Sequence, residues 1–172
     1  MRFRPKQLQQ AGATVGQALV WNGMLWVPGT PAFNGDLGSL YISTPVTTSG
    51  VGTSPIKANG TTTALQQNNF THTNGRLTYN GSITKKFQAT AAISARSATA
   101  NIVLSMFFAK NGTPVPASEI TRKIGTANDV GAAPLVCTAD CATDDYVEVF
   151  IAINTGTANI TLDKMVLVVA EA

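Results

Sequence analysis

Residues 146–153 read Tyr146-Val147-Glu148-Val149-Phe150-Ile151-Ala152-Ile153 and form the clearest strand signal of the chain. Successive side chains of a β-strand point to opposite faces, so these residues divide into two sets. One set is aliphatic and is expected in a core: Val147, Val149, Ile151 and Ile153. The other set is half aromatic: Tyr146, Glu148, Phe150 and Ala152. This stretch therefore predicts a strand that buries one face and offers aromatic rings on the other.

The same two-residue period recurs through the C-terminal two thirds of the chain. Asn-Gly pairs such as Asn74-Gly75 and Asn111-Gly112 separate the alternating segments, and Asn-Gly favours tight turns because both positions tolerate positive φ. Strands are predicted over residues 64–67, 69–73, 76–79, 86–95, 100–110, 119–124, 134–141, 146–154 and 159–169. No long stretch shows helical periodicity with caps. Residues 64–172 are therefore predicted to form an all-β domain, a sandwich or jelly roll.

Several of these strands are apolar on both faces. Phe107 and Ala109 lie opposite the core-facing residues of their strand, and the last strand ends in the run MVLVV, which includes Leu167. An antiparallel sheet of a monomer normally keeps one face in water. The second face is therefore expected to be buried against another copy of the chain, because large exposed apolar patches mark interfaces. The alternative is that these strands are central in a two-layer fold and are covered by loops of the same chain.

Residues 1–30 are predicted to form a small β-hairpin unit. The run LVWNGMLWV places Asn-Gly between two apolar segments, and a two-residue loop there would set Trp21 opposite Met24 and Leu19 opposite Trp26. An isolated hairpin is only marginally stable in water, so the apolar faces of this one must pack against another surface. It packs on the main domain, on copies of itself, or on a partner protein.

Residues 31–63 are dense in Pro, Gly, Ser and Thr, with one short strand predicted over residues 38–43. This composition predicts an extended linker. A linker would separate the N-terminal unit from the main domain, and it therefore favours a partner or neighbouring copies as the cover of the hairpin.

Charge argues against a nucleic-acid partner. The 12 basic and 9 acidic residues give a net charge of +3, and Arg2, Arg4 and Lys6 account for all of it. A nucleic-acid-binding domain would show a basic stripe or face. The N-terminal basic cluster is either an arm that docks on an acidic surface or a solvated tail.

Hydropathy argues against a membrane partner. No run approaches the roughly 20 apolar residues of a membrane span. The N-terminal charges are not followed by the apolar segment of a signal peptide, so synthesis in a cytoplasm is expected.

Catalytic and metal-binding patterns are scarce, and no enzyme, cofactor or metal site is predicted. His72 is the one histidine of the chain, in a polar strand. Cys137 and Cys141 lie four residues apart on one predicted strand, which puts their Cα atoms roughly 13 Å apart. A disulfide needs about 7 Å or less, so two free thiols are expected.

Asp140, Asp144 and Asp145 cluster before the strand over residues 146–154. They could hold Ca²⁺ weakly, but Asp at a hairpin turn more often bonds its own backbone. A glycosidase needs two carboxylates across a cleft, and this small acidic set does not favour one.

Residues 8–28 resemble a short segment of phage fibre and virion-surface proteins. The resemblance lies in the pattern GAxxGQxLxWNGxxWxP, matched by Gly12, Ala13, Gly16, Gln17, Leu19, Trp21, Asn22, Gly23, Trp26 and Pro28. In those proteins the segment is a small oligomerising or attachment element. The resemblance implies an attachment element. Together with the N-terminal basic cluster and the apolar hairpin residues it predicts a capsid anchor, whose contact residues are Arg2, Arg4, Lys6, Leu19, Trp21, Met24 and Trp26.

Residues 64–169 resemble the C1q/TNF-like trimeric jelly rolls of phage and algal-virus proteins. The resemblance lies in Asn69-Phe70-Thr71, in the run GRLTYNG from residue 75, in FFAKNG from residue 107, and in DDYVEVFI from residue 144. Asp144-Asp145 replaces the usual Gly-Asp. The resemblance implies a homotrimer with these residues at or near its contacts: Tyr79, Phe107, Tyr146, Phe150 and Leu167.

Together these patterns predict a structural protein of a bacteriophage-like virion, on the exterior of the capsid. The leading hypothesis is a trimeric capsid decoration (cement) protein or short head fibre, held to the major capsid protein or another virion protein by residues 1–30. A fibre that reaches a distant receptor is normally much longer. The alternative is a tail-fibre or receptor-binding tip that recognises a host surface glycan or protein.

Overall fold

The computed structural model describes residues 35–172, together with the backbone of two short strands, Ala18–Trp21 and Trp26–Gly29. The chain divides into two compact units, Met1–Asn34 and Gly35–Ala172. Strands are numbered β1 to β15 in chain order. Arg2, Arg4, Lys6 and Met24 lie outside the described residues, so their assignment to an anchor stays a prediction.

The N-terminal unit contains an antiparallel pair, β1 (Ala18–Trp21) and β2 (Trp26–Gly29). The predicted hairpin is therefore present, but its predicted register is wrong. Trp21 lies opposite Trp26 and Leu19 lies opposite Pro28. Four residues separate the paired ends instead of two, and loop length sets the register of a hairpin.

The C-terminal unit is a sandwich of two antiparallel sheets. One sheet has six strands in the order β13-β9-β15-β3-β6, and β4 pairs with β15 beyond the end of β3. Its strands are β3 (Leu37–Tyr41), β4 (Val46–Val51), β6 (Thr63–Asn68), β9 (Lys85–Ser97), β13 (Gly131–Cys141) and β15 (Ala158–Glu171).

The other sheet has seven strands in the order β11-β10-β14-β8-β7, with β12 paired to β10 and β5 paired to β14. Its strands are β5 (Ile56–Lys57), β7 (Phe70–Thr73), β8 (Arg76–Tyr79), β10 (Ile102–Lys110), β11 (Thr113–Pro114), β12 (Ile120–Ile124) and β14 (Tyr146–Ile153). One 3-10 turn, Pro116–Ser118, lies between β11 and β12. The described part of the chain contains no helix long and apolar enough to cross a membrane.

Alternation of apolar and polar residues builds the core. β9 buries every second residue along its length, and β14 buries the four aliphatic residues that its sequence pattern assigned to the core. Three aromatic rings close one end of the sandwich, Phe70, Tyr79 and Phe87, with ring centroids 4.8–5.3 Å apart. Aromatic clusters at such distances pack well when their rings are tilted or edge-on, as they are here.

The predicted turns form where Asn-Gly pairs occur. Asn74 and Gly75 have φ of 30° and 76°, and they join β7 to β8. Asn111 and Gly112 have φ of 52° and 75°, and they join β10 to β11. Two positive φ values in a two-residue connection give the turn that matches strand twist.

The all-β prediction is confirmed, and each of the nine predicted strands is present with small shifts at its ends. The predicted linker over residues 31–63 is wrong. β3 and β4 pair with β15 inside the six-stranded sheet, and β5 pairs with β14. The compact unit therefore begins at Gly35 rather than at residue 64. β3 lies at the one short strand that was predicted here, whereas Pro, Gly and Ser on either side of β4 and β5 obscured those two strands.

Gly38 is needed because the ring of Phe70 crosses β3 closely. A Cβ atom at Gly38 would lie 2.7 Å from Cγ of Phe70. We expect Gly38→Ala to lower the free energy of unfolding by about 1–3 kcal/mol, the usual cost of overpacking a core. Chemical denaturation measures this. Gly125→Ala is the matched control, since nothing lies within 4 Å of its added Cβ, and equal stability losses in both variants would contradict the packing explanation.

Candidate functional site: the outer faces of the two sheets

The outer face of the six-stranded sheet carries an exposed apolar grid. Strand pairing sets Pro134 and Val166 on either side of Ala92, and Val136 and Val168 on either side of Thr90. Val136 is 57% exposed and Val166 is 41% exposed. We call this surface the valine face, and its residues are Thr90, Ala92, Pro134, Val136, Val166 and Val168. They line a shallow apolar depression of about 380 Å³.

Charged residues border the valine face without interrupting it. Asp140 is paired across the sheet with Lys86 at one end. At the other end, Arg96 Nε lies 3.3 Å from Oδ1 of Asp163. Oδ2 of Asp163 is buried and has no hydrogen-bond partner among the described residues. The uncharged centre is therefore edged by charges of both signs.

On the outer face of the seven-stranded sheet, charged and apolar side chains find more of their partners within the same chain than on the valine face. Glu148 is 1% exposed, and its Oε1 lies 2.6 Å from Nζ of Lys57 and 3.0 Å from Nε of Arg76. The Arg76 guanidinium also stacks 3.7 Å above the centroid of the Tyr146 ring. A buried carboxylate needs such partners, because an unpaired charge in the interior is costly. Of the apolar residues on this face, Phe107 is only 8% exposed.

The residues predicted for the trimer contact divide into two groups. Phe107 lies opposite Phe150 on the seven-stranded sheet, and Tyr146 shares their face. Tyr79 and Leu167, by contrast, have no exposed surface and belong to the core between the sheets. Their assignment to an interface is therefore wrong, because each lies on the inward side of its strand.

Of the two explanations for strands that are apolar on both faces, coverage by the same chain accounts for the seven-stranded sheet but not for the six-stranded one. Phe107, Ala109 and Ala152 on the seven-stranded sheet are buried within the single chain. On the six-stranded sheet, Val136 and Val166 stay exposed. Sequence reasoning missed the valine residues of β13, although the run Pro134-Leu135-Val136 is apolar on both sides of the strand.

A polar cluster lies where the chain enters the C-terminal unit. Asp36 is 2% exposed and accepts three hydrogen bonds: from Asn69 Nδ2 at 2.6 Å, from the Tyr79 hydroxyl at 3.0 Å and from Lys85 Nζ at 2.8 Å. Lys85 Nζ also lies 3.0 Å from Oε2 of Glu171. Backbone and carboxylate bonds join Asp36 to Glu171 in both directions. Sequence reasoning missed this cluster.

The cluster holds an ammonium between two carboxylates. Burial alone would raise the pKa of Asp36, but the bonds from Lys85, Asn69 and Tyr79 outweigh it and hold that pKa below its ordinary value. The bond from Lys85 and the backbone N–H of Asp36 lower the pKa of Glu171. Hydrogen bonds to both carboxylates raise the pKa of Lys85.

The histidine and cysteine candidates have ordinary structural surroundings. His72 Nε2 lies 2.6 Å from Oγ1 of Thr62, which also accepts the backbone N–H of Gly75. Cys137 and Cys141 are free thiols, as predicted. Burial raises the pKa of Cys141 to about 11, so this thiol stays protonated at neutral pH.

Of the acidic candidates, Asp145 is engaged in turn contacts. Asp145 accepts bonds from Asn111 Nδ2, the Ala142 backbone and Lys110 Nζ. Burial would raise the pKa of Asp145, but these bonds lower it overall. Within the described ranges, no three His, Cys, Asp or Glu side chains come together as a metal site.

Comparisons with known proteins agree on the fold. No family model and no curated protein matches the chain. Among solved structures, it is similar to the Eiger TNF of S. frugiperda, at 9% identity and a TM-score of 0.50, over 80% of this chain and 93% of that one. It is also similar to murine APRIL at pH 5.0, at 9% identity and a TM-score of 0.52, over 79% and 98% of the two chains. PRD1 vertex protein P5 aligns at 12% identity and a TM-score of 0.47, over 79% and 96%.

The two likenesses to TNF-family structures cover about four fifths of this chain and nearly the whole of the compared chains. At such low identity they establish architecture and nothing of activity. Residues 35–172 of this chain adopt a TNF-like jelly roll.

Proposed function

We propose that the protein is a structural component of a virion, a homotrimer that decorates the capsid exterior or forms a short head fibre. The observation that carries the proposal is the valine face, an uncharged apolar surface on the six-stranded sheet. The occupant we assign to it is a second copy of the chain, as the resemblance to trimeric C1q/TNF-like jelly rolls implies. In a closed trimer each copy covers part of its neighbour, so exposed valine side chains such as Val136 become buried.

The direction of the chain supports attachment through the N-terminus. The chain enters the C-terminal unit at Gly35, beside the start of β9 and the end of β15. The loops at the other ends of these strands lie at the far end of the sandwich. The far end is therefore separated from Gly35 by the length of these strands.

The composition of the far end favours decoration over receptor binding. Its loops are residues 52–55, 98–101, 125–130 and 154–157, and they contain mainly Thr, Ala, Asn and Gly without an aromatic residue. Glycan-binding loops usually offer aromatic surfaces. A receptor-binding tip remains the second candidate, and locating the protein on the head or the tail of intact particles separates the two.

The proposal includes no catalytic step, cofactor, nucleic acid or membrane. Its partners are two further copies of the chain and a capsid surface, with the major capsid protein or another virion protein as the contact. Three anchors on one trimer bind with much higher avidity than one, because the second and third contacts form at high effective concentration.

Deleting residues 1–34 tests the anchor. We expect the remaining jelly roll to stay folded and trimeric, since its core is self-contained, and to lose binding to particles that lack the protein. Co-sedimentation measures binding, and circular dichroism and light scattering check the fold and the mass. Undiminished binding by the truncated protein would rule out the anchor.

A triple variant, Arg2→Gln, Arg4→Gln and Lys6→Gln, separates the two interpretations of the basic cluster. If the cluster is an electrostatic arm, this variant binds particles more weakly than the wild type and loses the salt dependence of binding. If it is a solvated tail, binding is unchanged and the hairpin residues carry the contact.

A further inference from the structure

The polar cluster at the start of the jelly roll combines a lysine, a buried aspartate and a second carboxylate. Nζ of Lys85 lies 2.8 Å from Oδ2 of Asp36 and 3.0 Å from Oε2 of Glu171. We propose that Lys85 and Asp36 condense into an intramolecular isopeptide bond, with Glu171 carrying the proton. This inference is independent of the proposed function.

The surroundings of Asp36 suit nucleophilic attack on its carboxyl carbon. Asn69 Nδ2 donates to one carboxyl oxygen at 2.6 Å, and the Tyr79 hydroxyl donates to the other at 3.0 Å. Negative charge develops on these oxygens as the tetrahedral intermediate forms. Donors already in position stabilise that charge, which is how an oxyanion hole works.

Burial strengthens these interactions. Tyr79 is fully buried and forms an aromatic cluster with Phe70 and Phe87 beside the carboxylate. Electrostatic interactions are stronger where water is excluded. Lys85 is 24% exposed, so the water that the reaction releases has a path to solvent.

The reaction is balanced and needs no further reactant. Glu171 takes one proton from the Lys85 ammonium, and the free amine attacks the carboxyl carbon of Asp36. This transfer runs against the raised pKa of Lys85 and the lowered pKa of Glu171, so it is the slow step of the condensation. The amine passes its second proton to one oxygen of the tetrahedral intermediate, Glu171 gives its proton to the same oxygen, and that oxygen leaves as water. An ammonium and a carboxylate thus become one amide and one water, and Glu171 ends as the carboxylate that it was.

The sheet holds the reacting groups together. The Asp36 N–H donates to Oε2 of Glu171 at 3.1 Å, and the Glu171 N–H donates to the Asp36 carbonyl at 2.9 Å. Lys85 begins β9, the neighbour of β15. Groups fixed in reactive geometry reach effective molarities of roughly 10⁵–10⁸ M, which favours a condensation that water otherwise opposes.

A second lysine–aspartate pair shows what distinguishes this site. Lys110 Nζ also lies 2.8 Å from an aspartate, Asp145, but its other contact is the backbone carbonyl of Asp140. Of the lysines in the described ranges, Lys85 is the one whose ammonium contacts two carboxylates. The Lys110–Asp145 pair lacks a proton carrier and serves as an internal control.

The bond would tie the first residues of the jelly roll to β9. A pull on the chain ahead of Gly35 would then pass through Asp36 to the side chain of Lys85, and not through the hydrogen bonds of β3. The cross-link would also close a covalent loop from residue 36 to residue 85, which constrains the unfolded chain.

Intact-mass spectrometry of the purified full-length protein, denatured before injection, tests the proposal. We expect a mass one water below that of the sequence and a branched tryptic peptide that joins the Asp36 and Lys85 segments. Lys85→Arg keeps the positive charge but should not condense, and its mass should equal that of its sequence. Glu171→Gln should slow the reaction and leave a fraction uncondensed, while Lys110→Arg should change nothing beyond its own mass.

Two results would overturn the proposal. One is the full sequence mass in wild-type protein that circular dichroism shows to be folded. The other is a one-water deficit that persists in Lys85→Arg, which would assign the loss to dehydration elsewhere. Neither result bears on trimer formation or capsid binding, which are measured separately.

Discussion

Replacing Val136 and Val166 together by aspartate should convert the proposed trimer into folded monomers. Both side chains are largely exposed in the single chain, so the substitutions leave the core of each subunit intact. Covering them with a neighbouring copy would strip water from two carboxylates that have no cationic partner at the centre of the valine face. Burying an unpaired charge costs several kcal/mol, and each 1.4 kcal/mol weakens association about tenfold.

Light scattering measures the mass, and circular dichroism checks that each subunit stays folded. Leu65→Asp is the matched control, because Leu65 is 57% exposed on the edge strand β6, away from the valine face. Tyr146→Ala tests the aromatic face that the sequence favoured. A valine-face variant that keeps the wild-type mass, beside a Tyr146→Ala variant that dissociates, would show that the contact lies on the seven-stranded sheet.

Leu167→Ala should lower the free energy of unfolding by about 2–5 kcal/mol, the usual cost of removing a buried leucine side chain. Leu167 is fully buried between the sheets, and its neighbour Val166 points outward from the same strand. Val166→Ala should leave the unfolding free energy of the subunit nearly unchanged and weaken self-association instead. The substitution at Leu167 therefore tests folding, and the substitution at the adjacent Val166 tests assembly.

Denaturant unfolding measures both variants, and it is repeated over a range of protein concentrations because association adds to the apparent stability of an oligomer. The loss caused by Leu167→Ala should persist in the Val136→Asp, Val166→Asp background, where the subunits are expected to be monomers. A Leu167→Ala variant as stable as the wild type would contradict the position of this side chain in the core.

The strands were predictable wherever one face is apolar and the other polar. β9 follows the two-residue period closely and its burial alternates as the sequence indicates, and β14 buries the aliphatic set that its sequence assigns to the core. β3 and β4 do not follow it. β4 reads Val-Thr-Thr-Ser-Gly-Val, with Gly50 at a φ of 65°, and it forms because β15 offers an unpaired edge. Local sequence does not encode that edge, so the segment resembled a linker.

The location of the proposed self-association surface was less predictable, because its strands are apolar on both faces. Val166 and Leu167 are both aliphatic neighbours in one strand, and only the pairing of β15 with β9 shows which of them faces water. The sequence-based prediction placed the contact between copies on the seven-stranded sheet because of aromatic residues such as Phe107. The chain itself buries Phe107. The contacts of the Asp36 cluster span up to 135 residues, beyond any local pattern.

The central claim is that copies of this chain associate through a surface that one copy leaves exposed. The mass of the full-length protein in dilute, near-physiological buffer, measured by light scattering, tests it most directly. We expect three times the 17.9 kDa mass of the chain, unchanged on dilution through the micromolar range. A single species at 17.9 kDa that stays soluble would contradict it.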